Sequence, residues 1–148
     1  MSLIILISIN LKSSILLSRD YSKFQKSVCS TILETLFKKV NVDGQTMKHR
    51  LGLISPYKKQ VTMLNENLRE KHGMRYRDLV AVNTVDAFQG QEKDVILFSA
   101  VRANAEMAKG GSDKNLIGFL SDVRRLNVAI TRPRFVLIII GILKFFEE

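Results

Sequence analysis

Tryptophan is absent from this sequence, cysteine occurs once, proline twice, and no apolar run is long enough to cross a bilayer. Each shortage closes off a class of protein. A single Cys29 cannot form an internal disulfide, so the chain is not a disulfide-stapled scaffold. With Val28 and Ile32 beside it, Cys29 reads as a core position in a reducing compartment. His49 and His72 stand apart from any cluster at ligand spacing, so no metal site is expected. With two prolines and no internal repeat, nothing divides the chain by a Pro-rich linker. The apolar run Leu3 to Ile9 is too short for a span, and no Lys or Arg precedes it as in a secretory leader. Residues 1–20 therefore read as an irregular or truncated start, a strand followed by a Ser-rich stretch, and 21–148 as one globular domain.

What the sequence does contain is a balance of 46% apolar and 25% charged residues, enough to bury a substantial core. Lys and Arg exceed Asp and Glu by 23 to 14, a net charge of +9. That excess favours a polyanionic partner such as nucleic acid or a nucleotide. The basic residues are not gathered on one amphipathic helix, which argues against a membrane surface.

Periodicity separates the elements. Phe24, Val28, Ile32, Leu33 and Leu36 recur at helical spacing between Lys23 and Lys39, and the Asp43-Gly44 loop over 40–49 ends that helix. Leu51 to Ser55 is a short buried strand stopped by Pro56. Tyr57 to Lys71 is a helix through Val61, Leu64 and Leu68, closed by Gly73. Leu79 to Thr84, Val95 to Val101 and Phe135 to Ile140 read as further strands, and 103–115 as a surface loop. Strands alternating with helices predict an α/β fold, an open, mainly parallel sheet covered on both faces. Ligands in such folds bind beyond the carboxyl ends of the strands. Ser55-Pro56-Tyr57, Thr84-Val85-Asp86 and Arg102 all follow a strand and should share that edge.

Two stretches carry chemistry. Arg124 to Arg134 reads R-R-L-N-V-A-I-T-R-P-R and is pressed against an apolar run. A helix capped by Ser121 or Asp122 would bury Val123, Leu126 and Ile130. It would set Arg125 and Arg132 on another face, about 10 Å apart by the helical rise. Pro133 disfavours the α conformation before it, so Arg132 should sit where the helix turns into the strand, placed to meet an anion. Taken alone, such arginines are equally a solvated face. The second stretch, Asn83 to Arg102, reads N-T-V-D-A-F-Q-G-Q-E-K-D-V-I-L-F-S-A-V-R. Thr84 can give a hydroxyl to a phosphate. Gly90 permits a positive φ or a close approach of main chain to ligand. Glu92 can accept hydrogen bonds from a ribose. Each residue singly also fits a hairpin-like turn with solvated polar groups.

The strings V-D-A-F-Q-G-Q-E-K-D-V-I, S-A-V-R-A-N and G-F-L-S-D-V-R-R-L-N-V-A-I-T-R, with the upstream G-L-I-S-P-Y-K-K-Q, resemble the second, C-terminal RecA-like domain of superfamily 1 helicases. The resemblance is nearest to the subgroup that includes senataxin and the nonsense-mediated-decay helicase, and it runs from about Leu51 to Gly141. It implies a RecA-like fold of the P-loop NTPase type, and an ATP-dependent motor on single-stranded RNA or DNA in the nucleus or cytoplasm. By position, Thr84 and Val85 would face the strand's phosphates, with Ser55, Pro56 and Tyr57 toward the same groove. Gly90 and Glu92 would face the nucleotide. Arg132 would be the arginine finger on the γ-phosphate, with Arg125 supporting that network. A finger of this kind is worth about 10³ to 10⁵ in rate.

The chain departs from the family's pattern in what a nucleotide needs. It holds no G-x-x-x-x-G-K-[ST] phosphate loop, no D-E-A-Q segment for Mg²⁺ and no Q-Y-R segment, and Pro133 stands where many relatives have Ala. ATP and Mg²⁺ are therefore expected only together with a first RecA-like domain in cis, and turnover by this chain alone is not expected. A non-catalytic nucleic-acid- or partner-binding module on a helicase-derived fold is the alternative.

Overall fold

The computed structural model describes residues 3–8, 21–40, 50–99 and 123–141. The expected loops over 40–49 and 103–115, Arg102 and the cap at Ser121 or Asp122 fall outside the described residues, save for the last residue of the first helix. In chain order the elements are β1 (Leu3–Ser8), α1 (Tyr21–Val40), β2 (Leu51–Ser55), α2 (Lys58–His72), a 3₁₀ turn (Gly73–Arg75) and α3 (Tyr76–Leu79). They continue with β3 (Ala81–Thr84), a second 3₁₀ turn (Asp86–Phe88), β4 (Lys93–Ser99), α4 (Val123–Thr131) and β5 (Pro133–Gly141).

The strands form one sheet in the order β1-β5-β4-β2-β3, and every pairing is parallel. The composition of β4 and β5 explains this. Their Val-, Ile- and Leu-rich runs can bury both faces, which is what helices on both sides of a parallel sheet require. Alternate residues divide between two cores. Leu51, Leu53, Leu97, Ile138 and Ile140 meet Cys29 and Leu33 of α1 and Leu64 and Leu68 of α2. Ile54, Ile96, Phe98, Leu137 and Ile139 face the other way, toward Ala129 of α4 and Phe88 of the second 3₁₀ turn. Helices thus cover both faces, as the α/β reading expects.

Local chemistry sets the boundaries. Pro56 follows β2 and Tyr57 caps α2 in an extended conformation. At the far end Gly73 adopts φ 62° and its N–H bonds the Arg69 carbonyl, which stops the helix with Arg69, Lys71 and His72 in its last turn. Lys71 Nζ reaches Glu34 Oε1 at 2.9 Å and ties α2 to α1 at the surface.

Several expectations shift. Gln60, not Val61, is the buried residue of the first turn of α2. The strand expected from Leu79 begins at Ala81, because Tyr76 is buried and its hydroxyl donates to Asn65 Oδ1 at 3.0 Å, coiling 76–79 into α3. β4 begins at Lys93 and β5 at Pro133, each two residues earlier than the apolar runs. Of the stripe expected to bury α4, Val123 and Ile130 face water, and the Leu126 side chain lies outside the described ones. Val123 is 61% exposed and Ile130 37%, while Ala129 is fully buried and Val128 half-buried. Ala129 is the residue through which α4 enters the second core.

Cys29 is fully buried, and loss of water around the thiol pushes its pKa from about 9.0 up to about 12, partly offset by the neighbouring Ser99 side chain. The raised value means that this stabilising contribution is whole below pH 9 and is lost as pH climbs from there toward 12. Iodoacetamide at pH 8 is expected to leave the folded protein unmodified and to alkylate Cys29 once urea unfolds it. Equal rates in both conditions would contradict this core.

Candidate functional site

In a parallel sheet all carboxyl ends lie on one edge and all amino ends on the other, and the singled-out residues divide between the two. Ser55 and Thr84 are register partners at the carboxyl ends of β2 and β3. Lys93 and Pro133 are partners at the amino ends of β4 and β5, so Glu92 and Arg132, which precede them, are neighbours on the opposite edge. The six-residue step along β4 from Lys93 to Ser99 separates the edges by about 20 Å. The rule that ligands gather at carboxyl ends covers only the first group.

The carboxyl edge is knitted by hydroxyls. Ser55 is fully buried. Its Oγ donates to the Ser99 carbonyl at 3.2 Å and accepts from the Tyr57 N–H at 3.4 Å, so it locks β2 to β4 and shapes the Pro56-Tyr57 turn from within. Pro56 and Tyr57 are half-buried above it. Val85, itself buried, donates its N–H to the Ser55 carbonyl at 3.3 Å, which fastens the end of β3 to the end of β2. Thr84 is half-buried and its Oγ1 accepts from the Ala87 N–H at 3.3 Å. That bond uses the oxygen as acceptor and leaves its proton to donate, as phosphate recognition needs.

From Thr84 the chain must return to the amino edge to begin β4. It is not a hairpin, because β3 and β4 lie on opposite sides of β2. The 3₁₀ turn Asp86–Phe88 crosses the face of β2, and the fully buried Phe88 ring sits on Gly52. A Cβ at Gly52 would lie 2.8 Å from Phe88 Cζ. The glycine makes room for the crossing. The Nζ of Lys93, also buried, stands 6.0 Å from the centre of the ring. Gly90 then turns the chain at φ 81°, with nothing within 4 Å of where a Cβ would be, so its requirement is the left-handed backbone and not space.

At the amino edge the Lys93 N–H donates to the Arg132 carbonyl at 3.2 Å and joins the start of β4 to the end of α4. Arg132 is half-buried, and its Nε is buried with no hydrogen-bond partner among the described residues. Glu92 is exposed and accepts from Arg134 Nε at 3.3 Å, a surface pair worth little to stability. Glu92 and Arg132 thus share an edge, with the Gly90 turn two residues before Glu92, and Arg125 has a carboxylate partner of its own. It lies near the start of α4, where its Nε and Nη2 grip Asp86 Oδ1 and Oδ2 at 3.0 and 2.6 Å.

Sequence reasoning missed Gly52 and the Asp86 pairing. A lone glycine in an apolar strand signals a close approach of other atoms, and Gly52 fits that signal. No one-dimensional pattern points from Arg125 to a carboxylate 39 residues away. A groove of about 880 Å³ flanks β3, lined by Asn65, Arg69, Tyr76, Arg77, Glu92 and others. It reaches Glu92 but is not lined by Gly90 or Arg132, so it is not the meeting point of the charged motifs. Among the described residues no cluster could hold a metal ion, and no helix is long and apolar enough to cross a membrane.

Gly52→Val is expected to cost about 1–3 kcal/mol in urea unfolding by displacing Phe88, and Gly90→Ala about 1–2 kcal/mol from the positive φ alone. Gly90→Asn should recover part of that loss. A Gly52→Val variant of unchanged stability would remove the crossing from its seat on β2.

Comparison with known proteins gives matches across this region. The family model described as AAA domain matches residues 12–144. A "Probable helicase" of Dictyostelium discoideum is 44% identical over 122 residues, which are 81% of this chain and 11% of that protein. Helicase sen1 of Schizosaccharomyces pombe is 44% identical over 105 residues, 71% of this chain and 6% of that protein. ATP-dependent helicase NAM7 of Saccharomyces cerevisiae is 40% identical over 116 residues, 76% and 10% of the two chains. The chain therefore spans only about a tenth or less of the length of these relatives.

Proposed function

The chain belongs to the AAA-domain family, within the senataxin and nonsense-mediated-decay group of helicases, and on that premise we propose that it is the C-terminal motor domain of an ATP-dependent helicase. In this reading the amino edge is one half of an ATP site and the carboxyl edge is part of a groove for single-stranded RNA or DNA. An opposing RecA-like domain supplies the phosphate loop and the Mg²⁺ ligands. The motor acts where nucleic acid is, in the nucleus or the cytoplasm.

The observation that carries the reading is the shared edge of Glu92 and Arg132, close in sequence to the Gly90 turn, with the Arg132 Nε buried and unpartnered among the described residues. A buried guanidinium nitrogen without an acceptor is costly, and a γ-phosphate oxygen is an acceptor of the right charge. Held by the Lys93 hydrogen bond and the start of β5, Arg132 presents a preorganised cation to charge that grows during phosphoryl transfer. Glu92 lies beside it to accept from ribose hydroxyls, exchanging its surface pair with Arg134. Pro133 is part of β5, opposite Lys93, so in place of the usual Ala it stiffens the finger's base without breaking the strand.

At the other edge Thr84 offers its hydroxyl proton, and the +9 charge supplies the long-range attraction. Bound ATP supplies the scissile phosphoanhydride and draws the two RecA-like domains together. This chain's part is to bring Arg132 to one side of the cleft and to relay that movement to Thr84.

Three outcomes test the reading. The isolated 148-residue chain should show no nucleic-acid-stimulated ATPase; turnover near 1 s⁻¹, in the ordinary range for phosphoryl transfer, would contradict the half-site. It should bind single-stranded oligonucleotides with an affinity that falls as salt rises, and salt-insensitive binding would argue against the groove. In a parent protein with both domains, Arg132→Ala should lower ATP turnover by about 10³-fold or more while nucleic-acid affinity holds. Unchanged turnover would remove Arg132 from the finger role.

A further inference from the structure

The Arg125–Asp86 pair lies away from the γ-phosphate side, and its chemistry points elsewhere. It is bidentate and short, yet the two side chains are 48% and 60% exposed. An exposed pair of this kind contributes little to stability. Its position is more telling. Asp86 is two residues past Thr84, just after the hydrogen bond that fastens β3 to β2. Arg125 lies on α4, about 10 Å by helical rise from Arg132. The bridge therefore joins the nucleic-acid edge to the helix that ends in the finger.

α4 depends on such a tether. It is a helix of nine residues, and nine residues are too few to be stable alone in water. Among its described side chains only Ala129 is fully buried, and Val128 partly so, while Val123, Asn127 and Ile130 are exposed. A guanidinium fork fits a phosphate as well as it fits a carboxylate, with the same two parallel hydrogen bonds. Both partners are open to water, so exchanging one for the other requires no burial of charge.

We propose that Arg125 exchanges the Asp86 carboxylate for a backbone phosphate of a single strand arriving at the Thr84 edge, and that this exchange loosens α4 and so reports occupancy of the groove to Arg132. The proposal rests on the groove assignment above and assigns Arg125 to nucleic acid instead of ATP. Asp86 acts as a stand-in anion that holds Arg125 in place and competes with the incoming strand. Both partners are exposed, so the exchange is electrostatic and sensitive to salt.

The test uses the 148-residue chain and a fluorescein-labelled single-stranded oligonucleotide, in RNA and DNA forms, titrated from 20 to 200 mM salt. The proteins are wild type, D86N, R125A and the double variant, each checked for wild-type folding by circular dichroism and urea unfolding. D86N is expected to bind about five-fold tighter than wild type, the size of an exposed ion pair. R125A is expected to bind more weakly, with a salt slope shallower by about 0.7, the equivalent of one single-strand phosphate. Adding D86N to R125A should then change affinity by less than about two-fold. Amide exchange over 124–131 should quicken when the oligonucleotide binds wild type, and should already be fast in R125A with no further response.

An equal D86N gain in both backgrounds would show a general loss of negative charge and overturn the exchange. So would an R125A slope unchanged from wild type. In either case binding itself persists and the groove assignment stands. No binding by wild type at 20 mM salt would overturn the groove assignment and the exchange with it.

Discussion

The return of the chain from the carboxyl edge to the amino edge between Thr84 and Lys93 is the constraint on which the remaining geometry rests. A parallel sheet demands such a return between successive strands, and it usually takes a helix of three or four turns to make it. Here eight residues cross in its place, and they fit because Phe88 lies on Gly52 where no side chain stands in the way. The shortness of the crossing makes it stiff. A displacement at Thr84 reaches Gly90 and Glu92 through one 3₁₀ turn whose ring is seated on the central strand.

α4 runs between the same two edges on the same face. The two crossings are joined near their starts by Asp86 and Arg125 and near their ends by the Lys93–Arg132 and Glu92–Arg134 hydrogen bonds. The result is a frame of two struts with two ties, laid over Gly52, Ile96 and Leu137. Coupling between distant sites needs an element with two arrangements that both sites bias. The frame provides the candidate: a firmly seated strut through Phe88 and a lightly seated one through Ala129, joined at one end by an ion pair that water can reach.

Much of this was legible in the sequence where pattern and physics coincide. The runs Leu51 to Ser55 and Phe135 to Ile140, the helical spacing of Leu64 and Leu68, and Gly73 as a stop all express burial or backbone geometry local to a few residues. The sequence also placed the Ser55 and Thr84 turns at the ends of neighbouring strands, which the β2–β3 register bears out. What escaped depended on contacts distant in sequence. Val123 and Ile130 belong to the more apolar stripe of α4, yet they are exposed and Ala129 is buried in the second core, a choice that depends on the sheet and not on the helix. Leu79 looked like the start of a strand because nothing local shows that Tyr76 would find Asn65. The shared helical face of Arg125 and Arg132 is visible in one dimension, and the Asp86 carboxylate that Arg125 grips is not.

The strand order has a consequence for how the protein comes into being. β1 pairs with β5, and the register of Leu3 with Val136 spans 136 − 3 = 133 positions. β5 also lies between β1 and β4, so among the described strands the one synthesised last is an interior strand of the sheet. Until Pro133–Gly141 leaves the ribosome, β1 has no neighbour and the apolar sides of β4 stand half open. Contacts this distant in sequence close slowly, and unpaired edges invite association with other chains. Arg132, just ahead of β5, is thus fixed in place by the same late step that joins β1 to the sheet, and its position is a property of the finished fold alone.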